Sequence, residues 1–208
     1  MAADPLIIGD DGVARCGWGD HPADYRVYHD TEWGFPVSDD VRLFEKLALE
    51  GFQSGLSWLT ILRKRENFRA AFDGFDFTRV ADYGDDEVAR LLGDAGIVRH
   101  RGKIEAVINN AGRAVEMVAA EGSLDAFFWR YEPAETREIL LQSESVASKA
   151  LAKELKRRGW RFVGPTTVHS FIQAMGLVNE HAEGCHTRTA VDAARATFVR
   201  PAGTAPPA

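Results

Sequence analysis

Cysteine is scarce: Cys16 and Cys185 are the only two in 208 residues. That is too few for a disulfide scaffold, and in a reducing compartment a bridge between them is not expected. No apolar run approaches the roughly 18 residues of a membrane span. The opening MAADPLIIGDDG lacks the basic start of a secretory signal, so a cytoplasmic protein with no membrane partner is expected. Positive charge is in deficit, with a formal net charge of −6 and a pI near 5.5, which argues against whole-surface binding to nucleic acid but leaves room for a local basic face. No Ser-His-Asp order, Walker loop or dinucleotide-binding glycine fingerprint is present. Alternating strand patterns are missing too.

What remains is helical periodicity in a chain of ordinary globular composition, 45% hydrophobic and 27% charged. Val41, Phe44, Leu47 and Ala48 share one helical face; Trp58, Ile61, Leu62, Phe68 and Phe72 share the next. Asp85 to Asp94 and Lys103 to Glu121 read as two more helices, joined by GIVRHRGK. Ser123 caps a short aromatic helix, Ser145 to Arg158 stops at Gly159, and Gly164-Pro165 opens a helix ending at Gly176. The expectation is an all-α core of seven or eight helices without a sheet, over residues 15–186. Residues 1–14 read as a flexible extension and 187–208, ending PAGTAPPA, as a weakly ordered tail.

Three constellations carry chemistry. Cys16-x12-His29 near the start and His181-x3-Cys185 near the end together make a Cys2His2 set. Two thiolates and two imidazoles suit tetrahedral zinc, and four protein ligands leave no open position, so the site would be structural and would tie the two ends together. His21, His100, His169 and His186 compete as ligands, and a pair of buried free cysteines with incidental histidines is the bland alternative.

The second constellation lies in residues 85–121, where Gly96 and Gly102 bracket a turn between two amphipathic helices. Backbone N–H groups in such a helix–hairpin–helix can hold a DNA phosphate with little regard to sequence, and Arg99, Arg101 and Lys103 add positive charge. Further basic clusters stand at 63–65 and 153–161. An ordinary solvated helical turn is the alternative.

The third is a density of rings, Trp18, Tyr25, Tyr28, Trp33 and Trp58, near a lone carboxylate, Glu50, in LEGFQSGLSW. Ring faces grip an extruded nucleobase, and a cationic base gains on the order of 0.5–2 kcal/mol from the ring quadrupole. A carboxylate there could accept from a base edge or stabilise a positively charged sugar. A solvated helix end is the alternative reading of Glu50.

The blocks RCGW at 15–18, YHDTEWG at 28–34, LFEKLALEGFQSGLSW at 43–58, KRENFRAAF at 64–72, DAGIVRHRGKI at 94–104, KRRGWRFVGPTT at 156–167 and SFIQAMGLVNEH at 170–181 together resemble the bacterial DNA-3-methyladenine glycosylase I family, in its order, over Arg15 to Cys185. The resemblance implies an all-helical helix–hairpin–helix glycosylase with a structural zinc held by Cys16, His29, His181 and Cys185. It also implies a base pocket of Glu50, Tyr25, Tyr28 and Trp58, joined on the residue reading by Trp18 and Trp33. The implied activity is hydrolysis of the N-glycosidic bond of 3-methyladenine in double-stranded alkylated DNA, leaving an abasic site and the free base, by a protein taken as a monomer. His169 stands where members often carry a tyrosine, and Pro165 varies within its block. Residues 103–121 lack the aspartate that most helix–hairpin–helix glycosylases place after the hairpin, an absence this family shares.

Two other classes compete. A zinc-stapled DNA-binding module needs no carboxylate buried among rings, so Glu50 discriminates against it. A small-molecule zinc hydrolase needs an open metal position, which four protein ligands deny.

Overall fold

A computed structural model describes residues 6–133 and 142–201. Its order is β1 (Leu6–Ile8), β2 (Ala14–Cys16), α1 (Ala23–Thr31), α2 (Asp40–Gln53), α3 (Trp58–Ala71), α4 (Phe77–Val80), α5 (Asp85–Gly93), α6 (Arg101–Glu121), α7 (Leu124–Phe128), α8 (Val146–Arg157), α9 (Pro165–Ala174) and α10 (His186–Thr197). The mostly helical architecture follows from the periodicities above. Local chemistry sets the ends: Asp39, Ser57, Ser123 and Ser145 accept from backbone N–H groups as N-caps of α2, α3, α7 and α8. Pro165 occupies the first turn of α9, where a missing N–H costs nothing.

Helix α2 runs through the middle. From Leu43 to Phe52 every residue is buried, because α9, α3, α6 and α7 pack around it. Phe52, Phe68, Phe72 and Phe75 form a continuous run of ring contacts beside it, with centroids 4.6 to 6.4 Å apart. The segment between α1 and α2 is pinned to the end of α9 by backbone bonds from Gly34 N to Ala174 O and from Val37 N to Met175 O.

Three expectations are corrected. A sheet exists: Leu6–Ile8 pairs antiparallel with Ala14–Cys16 in a hairpin whose turn is closed by Gly9 N donating to Val13 O. Three-residue strands are too short to display alternation. The 1–14 extension is therefore folded over its described part, 6–14, and the hairpin is held by Arg15, which reaches Asp11, Asp20 and Asp30 at 2.8 to 3.2 Å. In the 187–208 tail, α10 continues to Thr197; Val191 is fully buried, Phe198 stacks on Trp129 at 4.4 Å, and Arg195 and Arg200 both pair with Glu132. Alanine-rich composition hid an amphipathic helix. Residues 1–5 and 202–208 lie outside the described residues.

Gly176 ends α9 at φ +74°, and a Cβ there would meet the Phe35 carbonyl carbon and Pro36 nitrogen at 2.5 Å. Both obstacles are backbone, so nothing can swing aside. Gly112, inside α6, has nothing within 4 Å of the same position. Gly176→Ala is expected to lower stability by about 2 kcal/mol or more. Gly112→Ala should raise it by roughly 0.5–1 kcal/mol. Urea denaturation of the two variants beside wild type checks the contrast, and equal midpoints would contradict the packing described.

Candidate functional site

The buried stretch of α2, Leu43 to Phe52, carries three ionisable groups, Glu45, Lys46 and Glu50, and each must find a partner within the protein. Glu45 pairs with Arg69 of α3 at 2.8 Å. Lys46 and Glu50, one turn apart, pair with each other: Lys46 Nζ lies 2.7 Å from Glu50 Oε1 and donates to Tyr28 OH at 2.8 Å. The same ammonium stands 3.3 Å from the centroid of the Trp58 ring and 5.0 Å from that of Tyr28. Burial pushes the Lys46 ammonium towards neutrality, with the Glu50 charge opposing it, and burial lifts the Tyr28 phenol well above its usual value. Glu50 itself is 5% exposed, which removes the solvated-helix-end reading.

The rings converge as expected. Tyr28 on α1 meets Trp58 at 5.4 Å, and Trp18 stands 5.8 Å from Tyr25 and 6.3 Å from Tyr28. Tyr25 OH accepts from Leu59 N, so α1 also anchors the first turn of α3 and fixes where Trp58 begins. Trp33 is more buried than Trp18 and packs against it at 5.0 Å and against His181 at 4.7 Å, separated from Trp58 by the rings of Trp18 and Tyr28. A cavity of about 30 Å³ adjoins Tyr28, Lys46 and Trp58, bounded also by Glu32, Glu45 and Met175.

Next to Tyr28, His29 belongs to a second cluster. The ligand atoms of Cys16, His29, His181 and Cys185 all lie within 4.8 Å of one another and all four residues are buried, so this set could hold a metal ion. His181 Nδ1 is 3.2 Å from His29 Nε2, 3.5 Å from Cys185 Sγ and 3.7 Å from Cys16 Sγ; Cys185 Sγ is 3.6 Å from His29 Nε2. The outer ring nitrogens are engaged elsewhere, His29 Nδ1 with Asp30 at 2.7 Å and His181 Nε2 with the Trp33 carbonyl at 3.0 Å. Those contacts turn the inner nitrogens' lone pairs towards the thiols. Of the four competing histidines only His186 comes near, and it binds Asp30 Oδ1 at 2.9 Å rather than a cysteine.

The turn between α5 and α6 also has defined geometry. Gly96 N donates to Asp94, its carbonyl accepts from Lys64 and Asn67 of α3, and a Cβ would meet Asn67 at 3.2 Å. His100 caps α6 by accepting from Lys103 N. Arg99 and Arg101 are exposed, although Arg101 leans on Glu105 at 3.3 Å. Lys103 requires a correction. Its ammonium is buried and donates to the Phe52 and Ser54 carbonyls at 2.8 and 2.6 Å, so it closes the C-terminal end of α2 and does not face solvent. The basic cluster at 63–65 is spent within the protein, Arg65 forking onto Glu32, Arg63 pairing with Asp24 and Lys64 donating to the Ala95 and Gly96 carbonyls, whereas in the 153–161 cluster Arg157 and Arg158 pair with Glu154 and Lys153, Lys156 and Arg161 are exposed.

Residues 18–189 match the family model described as methyladenine glycosylase. The chain belongs to that family. DNA-3-methyladenine glycosylase 1 of Escherichia coli K12 is 48% identical over 179 residues, spanning 83% of this chain and 96% of that protein. DNA-3-methyladenine glycosylase of Haemophilus influenzae is 39% identical over 185 residues, 85% of this chain and 99% of that one. A solved structure of a 3-methyladenine DNA glycosylase I in complex with 3-methyladenine superposes with a TM-score of 0.78 at 36% identity, covering 82% of this chain and 95% of that chain.

For this member of the methyladenine glycosylase family, the residue that sequence reasoning passed over is Lys46. It stands four positions before Glu50, so the two share a helical face, and that spacing was the available signal. Two polar interruptions in an apolar helix point to each other only once the helix is known to be buried all round.

Proposed function

We infer that the protein is a monofunctional DNA-3-methyladenine glycosylase acting in base-excision repair, with Glu50 and the rings of Tyr28 and Trp58 as its base pocket. The observation that carries the pocket is the buried Glu50 carboxylate set beside these rings with a cation already against it. A carboxylate and a ring face in a dry site favour a positively charged planar ligand over a neutral one of the same shape. Tyr25 and Trp18 extend the aromatic wall, and Trp33 supports it from the cluster side.

The chemistry asks little of the protein. Methylation at N3 makes the adenine cationic, so the C1′–N9 bond is already weakened. When it breaks, the bonding pair stays with the base, which leaves neutral without a proton donor. Water adds to C1′ and releases a proton, giving the abasic sugar. The protein's part is to hold the flipped nucleotide and to place negative charge near the positive base and the developing positive sugar. This agrees with the lack of an aspartate in 103–121. Unmodified adenine would have to leave as an anion beside a carboxylate, and it is rejected on both counts.

The turn at 94–100 and the N-terminus of α6 supply the helix–hairpin–helix anchor for duplex DNA, with Gly96, Gly102, Arg99 and Arg101 at the phosphate. Lys103 supports that turn from within. The Cys/His cluster fits a structural zinc: tetrahedral Zn–S and Zn–N bonds imply ligand separations of roughly 3.3–3.6 Å between the nitrogens and from nitrogen to sulfur, close to the 3.2–3.7 Å found. Cys16, His29, His181 and Cys185 would hold the ion, whose role is to fasten β2, α1 and the start of α10 together. A cytoplasmic monomer acting on one lesion at a time completes the reading.

Glu50→Gln keeps the shape, removes the charge and presents a donor. Single-turnover release of 3-methyladenine from alkylated DNA is expected to slow by about 10- to 100-fold, or about 1.4–2.8 kcal/mol, with circular dichroism confirming a folded protein. Wild-type excision by this variant would move recognition to ring stacking alone. Gly102→Asp puts a negative charge near the phosphate, while its Cβ meets only the His100 ring at 3.4 Å. It should weaken binding to lesion-free DNA about tenfold at fixed salt; unchanged binding would remove the hairpin from the DNA face. Elemental analysis of protein purified without chelator should give one zinc per chain, lost in Cys185→Ala together with about 3 kcal/mol or more of stability. Metal-free wild type with full stability would contradict the zinc assignment.

A further inference from the structure

The place where a cationic base would bind already holds a cation. Lys46 Nζ touches the three groups such a base would use: the Trp58 ring face at 3.3 Å, Glu50 Oε1 at 2.7 Å and Tyr28 OH at 2.8 Å. An atom 3.3 Å above a ring centroid occupies the stacking layer itself, so a purine and this ammonium exclude each other there. The adjoining cavity of about 30 Å³ accommodates a water molecule or two but no purine. We propose that Lys46 is the pocket's resident cation, displaced by the incoming base and returning when the base has lost its charge, and that it thereby sets the affinity for substrate and product. The inference rests on the assignment of Glu50, Tyr28 and Trp58 as the base pocket.

Several features make lysine suited to the part. Its charge is a compact ammonium on a flexible four-carbon stem, which can swing without moving the helix. Glu32 and Glu45 line the same cavity, so carboxylates stand within its sweep, although Arg65 and Arg69 already pair with them. Exchange of ammonium for a cationic base leaves Glu50 paired at both ends of the process. A neutral base would push out the ammonium and leave the buried carboxylate without a counter-charge. The same comparison applies after the chemical step: C1′–N9 cleavage leaves the electron pair on the base, its positive charge disappears, and the ammonium becomes the better partner for Glu50. Lys46 then favours departure of the product.

The test titrates free 3-methyladenine into wild type, Lys46→Met and Lys46→Arg by calorimetry. Met keeps the length and apolar stem but removes the competing charge, so its Kd is expected to fall at least tenfold. Arg keeps the charge and should bind no more tightly than wild type. A residue that merely shaped the pocket would give the opposite sign, weaker binding on removal. In parallel, acetic anhydride labelling of wild-type Lys46, read by peptide mass spectrometry, should rise at least fivefold when the protein is saturated with 3-methyladenine. This second measurement needs no variant to fold. Binding by Lys46→Met no tighter than wild type, or Lys46 labelling unchanged at saturation, overturns the displacement while leaving the pocket assigned. Failure of all three proteins to bind 3-methyladenine would overturn the pocket assignment and this inference with it.

Discussion

Burying a helix on all sides while leaving charges on it forces the surrounding structure to supply counter-charges. Helix α2 has ten consecutive buried residues, and Glu45, Lys46 and Glu50 lie among them. An uncompensated charge in such a place costs several kcal/mol, so the neighbours are chosen by electrostatics as much as by apolar packing. Arg69 brings α3 to Glu45, and Tyr28 brings α1 to Lys46. Lys103 brings the start of α6 to the open carbonyls at the end of α2. The pocket is thus what remains where the compensation is internal: Lys46 and Glu50 answer each other, and neither is committed to another element by an ion pair.

The position of Tyr28 in turn depends on its neighbour in sequence. His29 faces the opposite cluster, held by Asp30, His181 and Cys185, and Asp30 is gripped by the buried Arg15. One helix of nine residues therefore presents a ring to the pocket beside Lys46 and Glu50 and an imidazole to the Cys/His set. Ordering the chain at that cluster therefore also orders Tyr28 in the wall of the neighbouring pocket. The β1–β2 hairpin and α10 belong to that arrangement: both pack on residues flanking the cluster, with Leu6 beside Cys16 and Cys185, and with Val191 fully buried.

Much of this was legible in the residues. Long amphipathic helices such as α6 announce themselves by spacing, and Ser and Asp caps mark their starts. Cys16, His29, His181 and Cys185 came together as their chemistry implied. Glu50 and the rings also converged, although Trp33 stands behind the wall. What was not legible concerns competition for charge. A basic residue beside a glycine-bracketed turn reads as a phosphate contact, yet carbonyls 49 and 51 positions away in sequence claim Lys103. Likewise the pairing of Lys46 with Glu50 emerges only once α3 and the end of α9 are known to cover that face of α2. The three-residue strands and the alanine-rich α10 escaped because pattern recognition needs length or contrast, and they offer neither.

The central claim is that the methylated base, cationic in the nucleotide and neutral once released, lies between Trp58 and Glu50, in space that the free protein fills with its own ammonium. A crystal structure of the wild-type protein soaked with 3-methyladenine tests it most directly. The account predicts base density lying flat on the Trp58 ring, a Glu50 oxygen within hydrogen-bond distance of the base edge, and Lys46 Nζ moved off the ring. Base density elsewhere on the protein, or a base bound with Lys46 still 3.3 Å from the Trp58 centroid, would contradict it.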